Sequence, residues 1–207
     1  HLGVLYSQQG RDAEAEEVMM DGRRLGDPDA STQLGVLYFQ QGRHAEAEDV
    51  FTEGRRLGDP QAPTCLGTLY LLQGRHAEAE EVLREGRRFG DPLASTELGA
   101  LYLLQGRVAE AEDVFFEGRR LGDPQACTEL GALYLLQGLH AEAEEVLREG
   151  CRLGDPNASM HLGVHYVQQG RHVEAEDVFT EGRRLADQHT STQLGVHDMQ
   201  QGCSFCS

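Results

Sequence analysis

The dipeptide Leu-Gly returns at residues 2, 34, 66, 98, 130, 162 and 194, an unbroken spacing of 32 in a chain of 207 residues. Tyr keeps the same register at 6, 38, 70, 102, 134 and 166, and Gln-Gly at 9, 41, 73, 105, 137, 169 and 201. No insertion or deletion interrupts the pattern. A fixed period of about 20–50 residues marks an architecture of stacked units, each too small to bury its own apolar face. This overrides the one or two globular domains that length alone suggests.

Each unit reads as two helices. In the second, Asp27-Pro28 is a start signal, with Asp as N-cap and Pro at the first helical position, where its missing N–H costs nothing. Helix A then carries Ala30, Leu34, Leu37 and Tyr38 at helical spacing, and Gly42 stops it. Helix B follows from His44 through Phe51 and ends at Arg55, Arg56, Leu57 and Gly58. Acids crowd its first turns and arginines its last, which complements the helix dipole and predicts a solvated, self-compensating face. The pattern predicts A helices near 28–41, 60–73, 92–105, 124–137, 156–169 and 188–201. B helices are predicted near 12–25, 44–57, 76–89, 108–121, 140–153 and 172–185. Two glycines per unit, such as Gly35 and Gly54, fall inside helices, where each costs roughly 1 kcal/mol against Ala. Keeping both predicts that neighbouring backbones approach closely there.

Composition narrows the function. Acidic residues number 35 and basic residues 18, all of the latter Arg, for a net charge of −17. Such a balance repels phosphate backbones and anionic membranes, so a nucleic-acid partner is not expected. The longest apolar runs, such as Leu69-Tyr70-Leu71-Leu72, are far too short to span a membrane. Lys and Ile are absent and Asn157 is the one Asn, which points to a GC-rich coding sequence. Five scattered cysteines do not form a disulfide framework, which favours a reduced, cytoplasmic chain. His1 in place of Met implies a missing N-terminal portion, so secretion stays open, and only then would the sequon at Asn157 matter.

At these residues the chain resembles tetratricopeptide repeat proteins. The family pattern Leu-Gly-x-x-Tyr, then Gly, then Ala-x-x-x-Phe is met by Leu34, Gly35, Tyr38, Gly42, Ala47 and Phe51. It is met again by Leu98, Gly99, Tyr102, Gly106, Ala111 and Phe115. The junction from Gly122 to Gly131 is similar to that of Sel1-like repeats. Two departures stand out. The period is 32 rather than about 34, and the first-helix Trp is replaced by Ser31, Pro63, Ser95, Cys127 or Ser159. The resemblance implies an all-α fold, an α-solenoid of six stacked two-helix units plus a C-terminal capping helix over residues 1–202, with an irregular tail at 203–207.

The resemblance also implies an adaptor role without chemistry or cofactor, and a concave surface lined by A helices. The positions after Tyr on that surface include Phe39, Leu71, Leu72, Leu103, Leu104, Leu135, Leu136 and Val167. These form an apolar stripe, flanked by Gln at both ends. It reads either as a groove for a protein or peptide or as packing buried between A helices, since exposed contiguous apolar patches are uncommon. The alternative function is structural, with near-identical units stacking end to end, copy on copy, into a filament.

Candidate chemistry is sparse. His44, His76, His140 and His172 share one repeat position. Helices pack ~8–10 Å apart, whereas ligands must lie ~2.0–2.1 Å from a shared zinc, so this ladder is not expected to chelate. His161 and His165 are four apart but lack the Glu of the zinc-protease motif. Cys203-Ser-Phe-Cys206 is a lone C-x-x-C, and no nucleophile–base–orienter set is visible. The seventh unit replaces Gly by Ala186, Pro by Gln188 and the Leu-Tyr pair by His197-Asp198, as a polar cap requires. The first unit starts inside helix A with the interior pattern intact, so further repeats or a partner are expected to cover it.

Overall fold

The computed structural model describes residues 2–186, and among them there is no strand. The capping helix expected near 188–201 and the tail at 203–207 lie outside the described residues. The chain is an α-solenoid of two-helix repeats. Its A helices are α1 (Leu2–Gln8), α3 (Pro28–Gln40), α5 (Ala62–Leu72), α7 (Pro92–Leu104), α9 (Pro124–Gln137) and α11 (Pro156–Gln168). Its B helices are α2 (Asp12–Arg24), α4 (His44–Leu57), α6 (His76–Arg88), α8 (Val108–Arg120), α10 (His140–Arg152) and α12 (172–186). The described residues fall into two compact units, divided between Val114 and Phe115.

The helix boundaries follow from local chemistry. Asp27, Asp91, Asp123 and Asp155 each accept a hydrogen bond on their carboxylate from the N–H two residues on, at 2.9–3.1 Å. The helices stop at left-handed glycines, as at Gly58 (φ 86°) and Gly138 (φ 76°), a conformation that a Cβ would strain. One start differs from expectation. The helix expected from about residue 60 begins at Ala62, and Gln61 at its N-cap makes no side-chain bond. Pro63, in its first turn, has no N–H to give the Asp59 carbonyl, while the Gln61 N–H still bonds the Asp59 carboxylate at 2.9 Å. Thr64 donates to Asp91 at 2.6 Å and Thr128 to Asp155 at 2.5 Å, while the corresponding Thr32 hydroxyl is buried without a partner.

In the first unit α1, α3 and α5 pack on the B helix of their own repeat, α3, α5 and α7 pack on the B helix before them, and α3, α5 and α7 lie side by side. Leu34, Leu66, Leu69, Leu98 and Leu101 are buried there among Ala47, Val50, Phe51, Val82 and Leu83. In the second unit Leu147, Ala158, Leu162, Tyr166 and Ala175 form the core, with Val178 and Phe179 packed against it. The helical glycines mark the crossings, but side chains rather than backbones come closest. A Cβ on Gly35 would lie 2.5 Å from the Phe51 ring, and on Gly131 2.5 Å from Leu147. At Gly54 the nearest atoms are Thr32 Oγ1 and Ala62 Cβ.

Candidate interaction surface

The charged pattern of the B helices does more than answer the helix dipole. Tyr38 OH donates to Glu16 at 2.8 Å, and Arg43 lies over the Tyr38 ring at 3.8 Å while bonding Glu16 of the preceding repeat and Glu46 of its own. The same triad recurs as Tyr70, Arg75 and Glu48, and in the second unit as Tyr166, Arg171 and Glu144. It binds an A helix, the turn after it and the preceding B helix into one contact. The Arg43 guanidinium holds the Glu16 carboxyl below its ordinary value, and Arg171 does the same for Glu144. Burial, then the adjacent Glu16, raises Tyr38. A second set of bridges joins consecutive B helices, Arg55 to Glu85 at 2.8 Å and Arg119 to Glu149 at 2.6 Å. Sequence reading missed these pairs. The available signal was the constant offset of Glu16, Glu48 and Glu144, each 22 residues before its Tyr.

The apolar positions after Tyr divide into two kinds. In the first unit Leu71 and Leu103 are half-buried, whereas Leu72 and Leu104 are 68% and 72% exposed. Phe39 is half-buried, edge-on to His44 with ring centroids 5.6 Å apart. In the second unit Leu135 is half-buried, Leu136 is 87% exposed and Val167 is exposed. The direct packing of α3, α5 and α7 brings Phe39, Leu71, Leu72, Leu103 and Leu104 onto neighbouring helices. None of them lines the groove of about 280 Å³ between α1, α3 and α5, which is lined by Val4, Val36, Gln8, Gln40, Gln33 and Cys65, among others. The repeat pattern does not single out Gln33 and Cys65. They stand one helical turn before the Val36 register, where α7 carries Glu97.

Among the described residues no cluster of three or more His, Cys, Asp or Glu side chains could hold a metal. Burial, reinforced by Asp59 and Asp91, pushes the Cys65 thiol up to about 11, and burial followed by Glu149 pushes Cys127 to about 11. Both are therefore protonated at neutral pH, the form that is neither nucleophile nor ligand. Cys203 and Cys206 lie outside the described residues.

His165 occupies the register of Leu69, Leu101 and Leu133, and it is buried. Its ring stacks on His140 at 5.1 Å and lies 2.9 Å from Gln169 Nε2. Burial, then the neighbouring His140, holds it below the ordinary 6.5, with Glu144 opposing and Arg171 reinforcing. The unfolded chain therefore binds more protons below about pH 6.5, and stability falls as pH drops through that value. His165→Leu is expected to flatten the dependence of Tm on pH between about pH 7 and 5. An unchanged slope would assign it to other groups.

Stacked helix pairs with this junction and this Tyr register define a helical-repeat protein. A tetratricopeptide repeat family model matches residues 56–85, 92–115, 124–149 and 156–179, and a second tetratricopeptide repeat model matches 2–63. The chain belongs to the tetratricopeptide repeat family. Its backbone is similar to that of a Sel1 repeat protein from Oxalobacter formigenes, with TM-score 0.71 and 19% identity over 87% of this chain and 82% of that one. It is similar to c5321, a protective antigen of uropathogenic Escherichia coli displaying an SLR fold (TM-score 0.72, 22% identity, 87% and 44% covered). It also resembles the APC/C hetero-tetramer Cut9-Hcn1 (TM-score 0.65, 18% identity, 90% of this chain), of which it spans 39% of the matched chain. No curated protein matches it in sequence. At these identities the likeness shows the fold. Tetratricopeptide repeats are generally protein-interaction scaffolds and typically non-catalytic. No described helix is long and apolar enough to cross a membrane.

Proposed function

We propose that the chain is a non-catalytic scaffold that holds a protein or peptide against the exposed face of its A helices. The observation that carries this reading is the exposure of Leu72 and Leu104 at the same register of two helices packed side by side. Large side chains left in water at equivalent positions of adjacent repeats have no role in the core, and covering them releases apolar surface from solvent. Phe39, Leu71 and Leu103 support them from the half-buried row beneath, and Leu136 with Leu135 and Val167 extends the apolar register in the second unit. The acidic balance of 35 to 18 opposes phosphate backbones, so the partner is polypeptide.

The test separates surface from core. Leu72→Ser with Leu104→Ser is expected to abolish capture of the proteins that the unaltered chain retains, with Tm shifting by less than about 2 °C. Capture unaffected by the double substitution would move the partner site off the A helices.

A further inference from the structure

The two kinds of helix segregate charge. All 18 basic residues stand in B helices or the turns before them, and the A helices hold no Arg or Lys. In the first unit the arginines of the turns before α4, α6 and α8 are spoken for: Arg43 by Glu16 and Glu46, Arg75 by Glu48 and Glu78, Arg107 by Glu80 and Glu110. The carboxylate of Glu97, in helix α7, is different. Glu97 is half-buried, and its carboxylate makes no hydrogen bond or ion pair among the described residues. Its burial raises its pKa above the ordinary value, with no other cause acting.

Helical geometry sets what surrounds it. Leu93, Glu97, Ala100 and Leu104 follow one another at i, i+4, i+7 and i+11, a single face of α7. Leu93, Ala100 and Leu104 are all exposed, and exposed Leu72 belongs to the neighbouring α5. A partly dehydrated carboxylate amid apolar surface lacks one thing, a cation whose own flanks are apolar. An acidic or phosphorylated segment would meet Glu97 with no A-helix cation to offset the repulsion.

We propose that the A-helix face of the first unit docks a cationic peptide segment whose Arg or Lys pairs with Glu97 while apolar neighbours cover Leu72, Leu93 and Leu104. This rests on the A-helix face being the partner surface. The spacing is specific. Glu97 and Leu104 are about 10 Å apart along the helix axis, which an extended peptide spans in about three residues. Glu97 and Leu93 are about 6 Å apart, or about two residues. The segment therefore reads apolar-x-basic-x-x-apolar, in either chain direction.

The experiment is selection of a random 12-residue display library on the full chain, followed by titration of the enriched peptides as labelled synthetic probes. Enriched sequences are expected to carry an Arg or Lys with apolar residues at that spacing. Glu97→Gln should weaken them about tenfold without lowering Tm, because it removes one partner of a charge pair and leaves no folded-state contact broken. Replacing the peptide's Arg by citrulline should cost the same on the unaltered chain and nothing further on the Gln variant, which decides the matter even if that variant folds poorly. Neutral or acidic peptides that lose binding on Leu72→Ser and Leu104→Ser but ignore Glu97 would overturn this proposal and keep the A-helix surface. No enrichment, or binding indifferent to those leucines, would overturn both.

Discussion

Replacing Tyr102 by Ala is expected to lower stability by about 3–5 kcal/mol, while Glu110→Ala costs under about 1 kcal/mol. Tyr102 is 4% exposed, and the Arg107 guanidinium lies 4.0 Å from its ring centroid. Truncation leaves a cavity where the ring was. It also removes the platform under Arg107, which reaches Glu80 of the preceding repeat at 2.8 Å. The loss therefore falls on the contact that couples repeats, and coupling is where a stacked array gains its stability. Glu110 pairs with the same arginine, but its side chain is 51% exposed and solvent replaces most of what is lost. Urea unfolding followed by circular dichroism provides the comparison. Equal shifts in midpoint for the two variants would show that the ring is not core.

Gly67→Ala sets helix propensity against packing. In an isolated helix the change should stabilise by roughly 1 kcal/mol. In this chain the added Cβ would lie 2.5 Å from Leu83 Cγ and 2.6 Å from its Cδ2, with Val82 at 3.3 Å. Leu83 is fully buried and belongs to the packed face of α6, so it has no free volume to move into. The expected outcome is a net loss of about 1–3 kcal/mol, as for other overpacked cores. A gain in thermal stability would mean that α5 and α6 can separate at no cost, and the repeated glycine would then need another explanation.

Much of the architecture was legible before the structure. Asp27, Asp91, Asp123 and Asp155 announce helix starts because an N-cap bond joins residues two apart. The left-handed glycines announce helix ends for the same local reason. The late start of α5 could not be judged from the pattern, which holds the start signal Asp59-Pro60 and a second proline, Pro63, in the first turn. The candidate surface was only partly legible. The A-helix register and its leucines can be read from the sequence, yet nothing in the repeat pattern separates Leu71 from Leu72 or marks Glu97.

By itself the sequence determined whatever depends on residues within one repeat: two helices per 32 residues, their caps, and an apolar register that must be buried by stacking. Tertiary structure decided the rest. Successive residues of a helix are about 100° apart around its axis, so Leu71 and Leu72 cannot share a face, and only the crossing of α5 with its neighbours turned Leu72 outward. The Tyr38–Arg43–Glu16 contact joins residues 22 and 27 positions apart, and it exists because α2 and α3 meet at one distance. Glu97 is left without a partner for the complementary reason: no A helix that packs beside α7 brings it a cation.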